Sequence, residues 1–102
     1  GLAEKALEIE AIERNYGRFA AELLPPLSYT TSIREMGGDL QGALDAQERM
    51  VEIGERCGTP PDHLSKGYGR LGRLYREAGR AMEAMKAEER SRRLAIEAAG
   101  RN

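Results

Sequence analysis

A single histidine, a single cysteine and several rows of charge are the residues of this 102-residue chain whose types could do chemistry. His63 follows Pro60, Pro61 and Asp62, with Cys57 a few positions before it. A structural zinc site needs four well-spaced ligands, and the chain has no second cysteine or histidine to offer. A thiol–imidazole pair would need a third group to orient the ring, and this proline-rich turn supplies none. Glu4, Glu8, Glu10, Glu13, Glu88 and Glu89 fall at helical spacings that make solvated faces, with Glu4 and Glu8 a like-charge pair. Acid–base catalysis would require two such carboxylates in one cleft with separated pKa values. The glycines of Gly67, Gly69 and Gly72 copy a dinucleotide-loop pattern, but no strand precedes them. These residues therefore predict no enzyme, no cofactor and no metal.

The basic residues are more informative. Lys66, Arg70, Arg73 and Arg76 recur at i, i+4, i+7 and i+10, which sets them along one side of a helix. A row of guanidinium groups suits carboxylates, singly or in two-point contacts. The competing reading is a solvated face partly neutralised by Glu77 and Glu88. A second set, Arg90, Arg92, Arg93 and Arg101, sits near the end of the chain, where positive charge complements a helix dipole without any ligand. Nucleic-acid binding through both strips is an alternative. It is disfavoured by the formal net charge of −1 and by the lack of stacking aromatics among the cations.

Helices must carry these residues. Only 5% of the chain is aromatic and none is Trp, so Leu, Ile, Met and Ala must make the core, a palette suited to helices rather than strands. Apolar positions recur at helical spacing between glycine and proline marks, and predict helices over about 2–16, 26–36, 40–57, 61–78 and 81–99. Pro26 and Pro61 suit a first helical turn, Asp39 suits an N-cap, and Gly17, Gly38, Gly58 and Gly79 suit helix ends. The stripe Ile9, Ile12, Tyr16, Phe19 and Leu23 also allows the first helix to run on to Leu24. No apolar run is long enough to span a bilayer, and the first residues lack a signal layout. The lone Cys57 rules out an intrachain disulfide and fits a reducing, cytoplasmic setting.

The marks repeat. Gly17 and Gly58, Gly38 and Gly79, Ala43 and Ala84, and Ile12 and Ile53 all lie 41 residues apart, and the same step carries Ile53 to Leu94. A period in this range indicates stacked helix pairs.

Tyr68, Leu71, Gly72, Tyr75, Gly79 and Ala84 together resemble the tetratricopeptide repeat, with Tyr68 in the place of its tryptophan. In the unit before, Leu27, Thr30, Thr31 and Arg34 hold the first-helix places, while Gly38, Asp39 and Ala43 are kept. The usual repeat is about 34 residues, so the longer step is more similar to the repeats of kinesin light chains. Gln47 and Glu88 depart from the pattern where it places a bulky aromatic, and Met50 and Ser91 where it prefers alanine. The resemblance implies an α–α superhelix fragment: two antiparallel helix pairs in one domain, preceded by a helix whose own partner is missing.

It further implies that the first helix of each pair lines a concave groove. Lys66, Arg70, Arg73 and Arg76 would then lie on or near its inner wall, with Ser28, Tyr29 and Ser32 at the matching places one unit earlier. The expected function is a scaffold, alone or as part of a larger protein, that binds an extended or acidic peptide, or another helix, of a protein partner. A self-associating module is the alternative, because the unpaired first helix would expose Leu2, Leu7, Ile9 and Ile12. The last helix, with the small and half-polar stripe Ala84, Ala87, Ser91, Leu94 and Ala98, is expected to cover the end of the stack with a polar outer side.

Overall fold

The structure, a computed structural model, describes residues 1–100 and is all-helical; Arg101 lies outside the described residues. Helices α1 (Leu2–Tyr16), α2 (Leu24–Met36), α3 (Leu40–Cys57), α4 (Pro61–Glu77) and α5 (Ala81–Gly100) follow in order, with one 3-10 turn at Ala21–Leu23 ahead of α2. Among the described residues there is no strand. The pairs α2/α3 and α4/α5 are antiparallel hairpins, α3 packs on α4, and α1 packs on α2 and the 3-10 turn.

Local chemistry sets the ends of these helices. Helix α2 starts two residues earlier than its proline mark predicts, because Pro25 and Pro26 both fit a first turn whose N–H groups have no partner inside the helix. The Asp39 carboxylate caps α3 by accepting from Gly42 N at 2.9 Å. Gly17, at φ +94°, takes the chain out of α1, so the stripe through Tyr16 and Phe19 does not continue as one helix.

The 41-residue step is present in the backbone itself. The turn after α2 is closed by Gly38 N donating to Glu35 O and Asp39 N to Arg34 O, at 3.1 and 2.8 Å. The turn after α4 repeats both bonds, Gly79 N to Arg76 O and Arg80 N to Tyr75 O, at 3.0 and 2.8 Å. Gly38 and Gly79 adopt φ of +81° and +76°, a left-handed conformation that glycine enters without a Cβ clash. Two hairpins of one design thus follow each other along the chain.

Two apolar clusters hold the layers. Ala43, Leu44 and Val51 of α3 meet Leu71, Leu74 and Tyr75 of α4 and Ala84 and Ala87 of α5. On the other side, Ala46 and Ile53 of α3 meet Leu23 and Leu27, and Ile9, Ile12 and Phe19 pack against that group. The expectation that α1 would expose its whole stripe needs correction. After Gly17 the chain turns back along α3, so Ile9 and Ile12 are half-buried in this second cluster, and of Leu2, Leu7, Ile9 and Ile12 only Leu7 stands well out, at 67% exposure. Helix α5 also differs from expectation. Ala84, Ala87 and Leu94 are buried, but its outer side carries exposed Met82, Met85 and Ile96 among the charges.

The crossing of α4 and α5 depends on Gly72, where a Cβ would lie 2.9 Å from Glu88 Cγ and 3.4 Å from the Ala84 carbonyl oxygen. Replacing Gly72 by leucine should force the hairpin apart and cost about 1–3 kcal/mol by overpacking. Chemical denaturation should report this as a lower midpoint. An unchanged midpoint would show that the crossing lies elsewhere.

Candidate functional site

Helices α2 and α4 both pack on α3 but not closely on each other, and long side chains span the cleft between them. Arg70 donates to the Ser32 hydroxyl at 2.9 Å and stands 3.9 Å from the Glu35 carboxylate. Arg73 grips Glu35 with both terminal nitrogens and also bonds Glu77 at 2.9 Å. Lys66, one turn before Arg70, is exposed and forms no salt bridge among the described residues.

Arg76 goes elsewhere. It forms a two-point pair with Glu88 on α5, at 2.5 and 2.7 Å. At about 100° per residue, position 76 lies about 80° round the helix from Lys66 and still farther from Arg70. The four-residue basic row therefore divides between the cleft and the hairpin. On α2, Ser32 joins the cleft through Arg70, and Ser28, one turn before it, is half-buried with no hydrogen bond of its own among the described residues. Tyr29 is turned toward α1, where the Lys5 ammonium lies 5.2 Å from its ring centre.

The charge of the cleft is set by one carboxylate between two cations. The hydrogen bond from Arg73, reinforced by the charges of Arg73 and Arg70, holds the Glu35 carboxyl below the usual range despite partial burial. The same contact raises Arg73. With Lys66 included, three cations face one carboxylate across the cleft, and Glu77 flanks the far end.

The near end is apolar. The first turns of α2 and α4 diverge over a cavity of about 150 Å³, lined by Leu24, Met50, Val51, Leu64, Gly67 and Gln47. Gln47 occupies a place where the repeat pattern has an aromatic ring. It is 2% exposed, and its Nε2 donates to Gly67 O at 3.0 Å, tying α3 to α4. Its Oε1 has no partner among the described residues. The Gln47 amide and Gly67 both border the cavity, and a Cβ at position 67 would already press on Val51 at 3.2 Å. The sequence signalled it only as a departure from a pattern.

Other polar contacts secure the two pairs. Ser65 and Ser91 exchange hydrogen bonds with each other's carbonyls at 2.8 and 2.7 Å, closing the far end of the α4/α5 hairpin. Tyr75 donates to Glu48 at 2.8 Å, and burial followed by that carboxylate pushes its hydroxyl up to about 12. Glu55 accepts from Tyr68 at 3.0 Å and Arg90 at 2.9 Å. Cys57 donates to the Phe19 carbonyl at 3.2 Å, and His63 is exposed beside Asp62. Among the described residues no group of three or more His, Cys, Asp or Glu is placed to hold a metal ion, and no helix is long and apolar enough to cross a membrane.

No protein-family model, curated protein or solved structure matches the chain.

The lowered Glu35 carboxyl has a consequence for stability. A carboxyl whose folded pKa is depressed stabilises the fold above its unfolded value, and that contribution is lost as pH falls through the folded pKa. The α2–α4 bridge should therefore weaken in acid, below the ordinary carboxylate value of about 4.3. Thermal midpoints measured from about pH 7 down to about pH 3 should fall less steeply in a Glu35→Gln variant than in the natural chain. Parallel profiles would show that the bridge contributes nothing in solution.

Proposed function

We propose that the chain is a non-catalytic, tetratricopeptide-like interaction module. Its partner is a protein that lays an extended, acidic segment in the cleft between α2 and α4. The observation that carries this reading is the cleft itself: two helices held apart by α3, with cations along one wall and an apolar cavity at one end. Lys66 and the half-exposed Arg73 offer charge-assisted donors to carboxylates despite the near-neutral whole. The cavity suits one apolar side chain of the same segment.

Nucleic acid is the weaker candidate. Arg70, Arg73, Arg76, Arg80, Arg90 and Arg93 each have a carboxylate within 4 Å, which leaves little continuous positive surface for a phosphate backbone. The lone Cys57, an exposed thiol, fits the proposed cytoplasmic setting.

Glu35 competes with any incoming carboxylate for Arg70 and Arg73. Removing its charge should therefore strengthen binding, whereas removing the arginines should weaken it. On an array of short Asp- and Glu-rich peptides, Arg70→Ala with Arg73→Ala should lower affinity about 100-fold or more, since each charge-assisted bond contributes about 1.5–3 kcal/mol. Glu35→Gln should raise it about tenfold by removing a like charge from the site. If the natural chain holds acidic peptides no better than neutral ones at low salt, the proposal fails.

A further inference from the structure

The two ends of the helix stack carry complementary faces. The 41-residue step carries Leu44 to Met85, Gln47 to Glu88 and Val51 to Arg92. On α3, Leu44, Gln47 and Val51 are buried on the side that seats α4. On the equivalent side of α5, Glu88 is half-buried against Arg76 and Gly72 of α4, while Met85 and Arg92 are exposed. There Met82 and Met85 are 71% and 58% exposed, in a shallow surface depression edged by Arg76, Lys86, Glu89 and Arg92. Arg76 and Glu89 are already paired, with Glu88 and Arg93. Lys86 and Arg92 form no salt bridge among the described residues. The depression is thus apolar at its floor and has two uncommitted cations at its rim.

Helix α1 lies at the opposite end of the stack and packs on α2, not on α4 or α5. Its outer side presents Leu7 with Glu4 and Glu10 exposed three residues to either side. Such spacing sets the two carboxylates about 60° to each side of the leucine. Glu10 forms no salt bridge among the described residues, while Glu4 has only the chain's amino group at 3.7 Å. Arg14 shares this side two turns on, so the patch is acidic around Leu7 and basic beyond it. An apolar residue between acids at one end faces away from an apolar floor between cations at the other.

We propose that the chain associates head to tail with further copies of itself: the Leu7 face of α1 in one copy seats in the Met82 and Met85 depression of α5 in the next. Glu4 and Glu10 then meet Lys86 and Arg92. The contact is heterologous, so the assembly keeps one free face at each end and growth does not stop at a dimer. It uses neither wall of the α2–α4 cleft and does not depend on that site.

Sedimentation of the whole chain from about 1 µM to about 1 mM tests this. The natural chain should increase in mass past dimer with concentration, and added salt should reverse the increase by screening the rim charges. Leu7→Lys and Met85→Lys, both at exposed positions, should each weaken association at least about tenfold while leaving the helical circular dichroism and thermal midpoint intact. The decisive sample is their mixture. The first variant keeps an intact α5 face and the second an intact α1 face, so together they should form a one-to-one dimer and nothing larger. A natural chain that stays monomeric throughout, or variants that associate as it does, would overturn the proposal. A mixture that fails to recombine would show that the α1 and α5 faces do not meet, and would overturn it equally.

Discussion

Helix α3 must bury two sides at once, and the rest of the structure follows from that requirement. Leu44 and Val51 face α4 and α5, Ile53 and Ala46 face α2 and the chain after α1, and Ala43 is small enough to sit at the shared edge. Of these residues Leu44, Ile53 and Ala43 have no exposure to solvent. A helix apolar on one stripe alone could hold one partner. Helix α3 is apolar on two, so it joins two hairpins that each have only a small core of their own.

That joint decides the shape of the cleft. Because α2 and α4 both pack on α3 and not on each other, whatever spans them must be long. Arginine meets that requirement, with an apolar stem that lies along the helices and a planar head that can hold a carboxylate at two points. Glu35 is the carboxylate it finds. One contact therefore serves both structure and charge: it ties the first hairpin to the second and leaves the wall cationic overall. Near the starts of α2 and α4 no such pair exists, and the gap remains an apolar cavity with the Gln47 amide in its wall.

The same repetition that builds the joint gives α5 a side equivalent to the one that α3 turns to α4. On α5 this face has been made partly polar, with Glu88 and Arg92 in the places of Gln47 and Val51, but Met82 and Met85 remain exposed. Helix α1 lies across α2 and the 3-10 turn, and its Ile9 and Ile12 are half-buried there.

The sequence by itself determined the five helices, their glycine and proline boundaries to within two residues, the 41-residue step and the close crossing at Gly72. These are local matters: a missing N–H, a left-handed turn or a small residue acts on its own few neighbours. It also placed Lys66, Arg70, Arg73, Ser28 and Ser32 on the helices that form the cleft. Only the tertiary structure decided where their side chains go. That Glu35 sits between Arg70 and Arg73, that Arg76 leaves for Glu88, that Tyr29 turns to Lys5, and that Gln47 borders a cavity all depend on how far one helix is rotated against another. Helical spacing fixes a residue's angle on its own helix to within tens of degrees. A hydrogen bond between helices is made or missed by the packing of α3, which no single helix encodes.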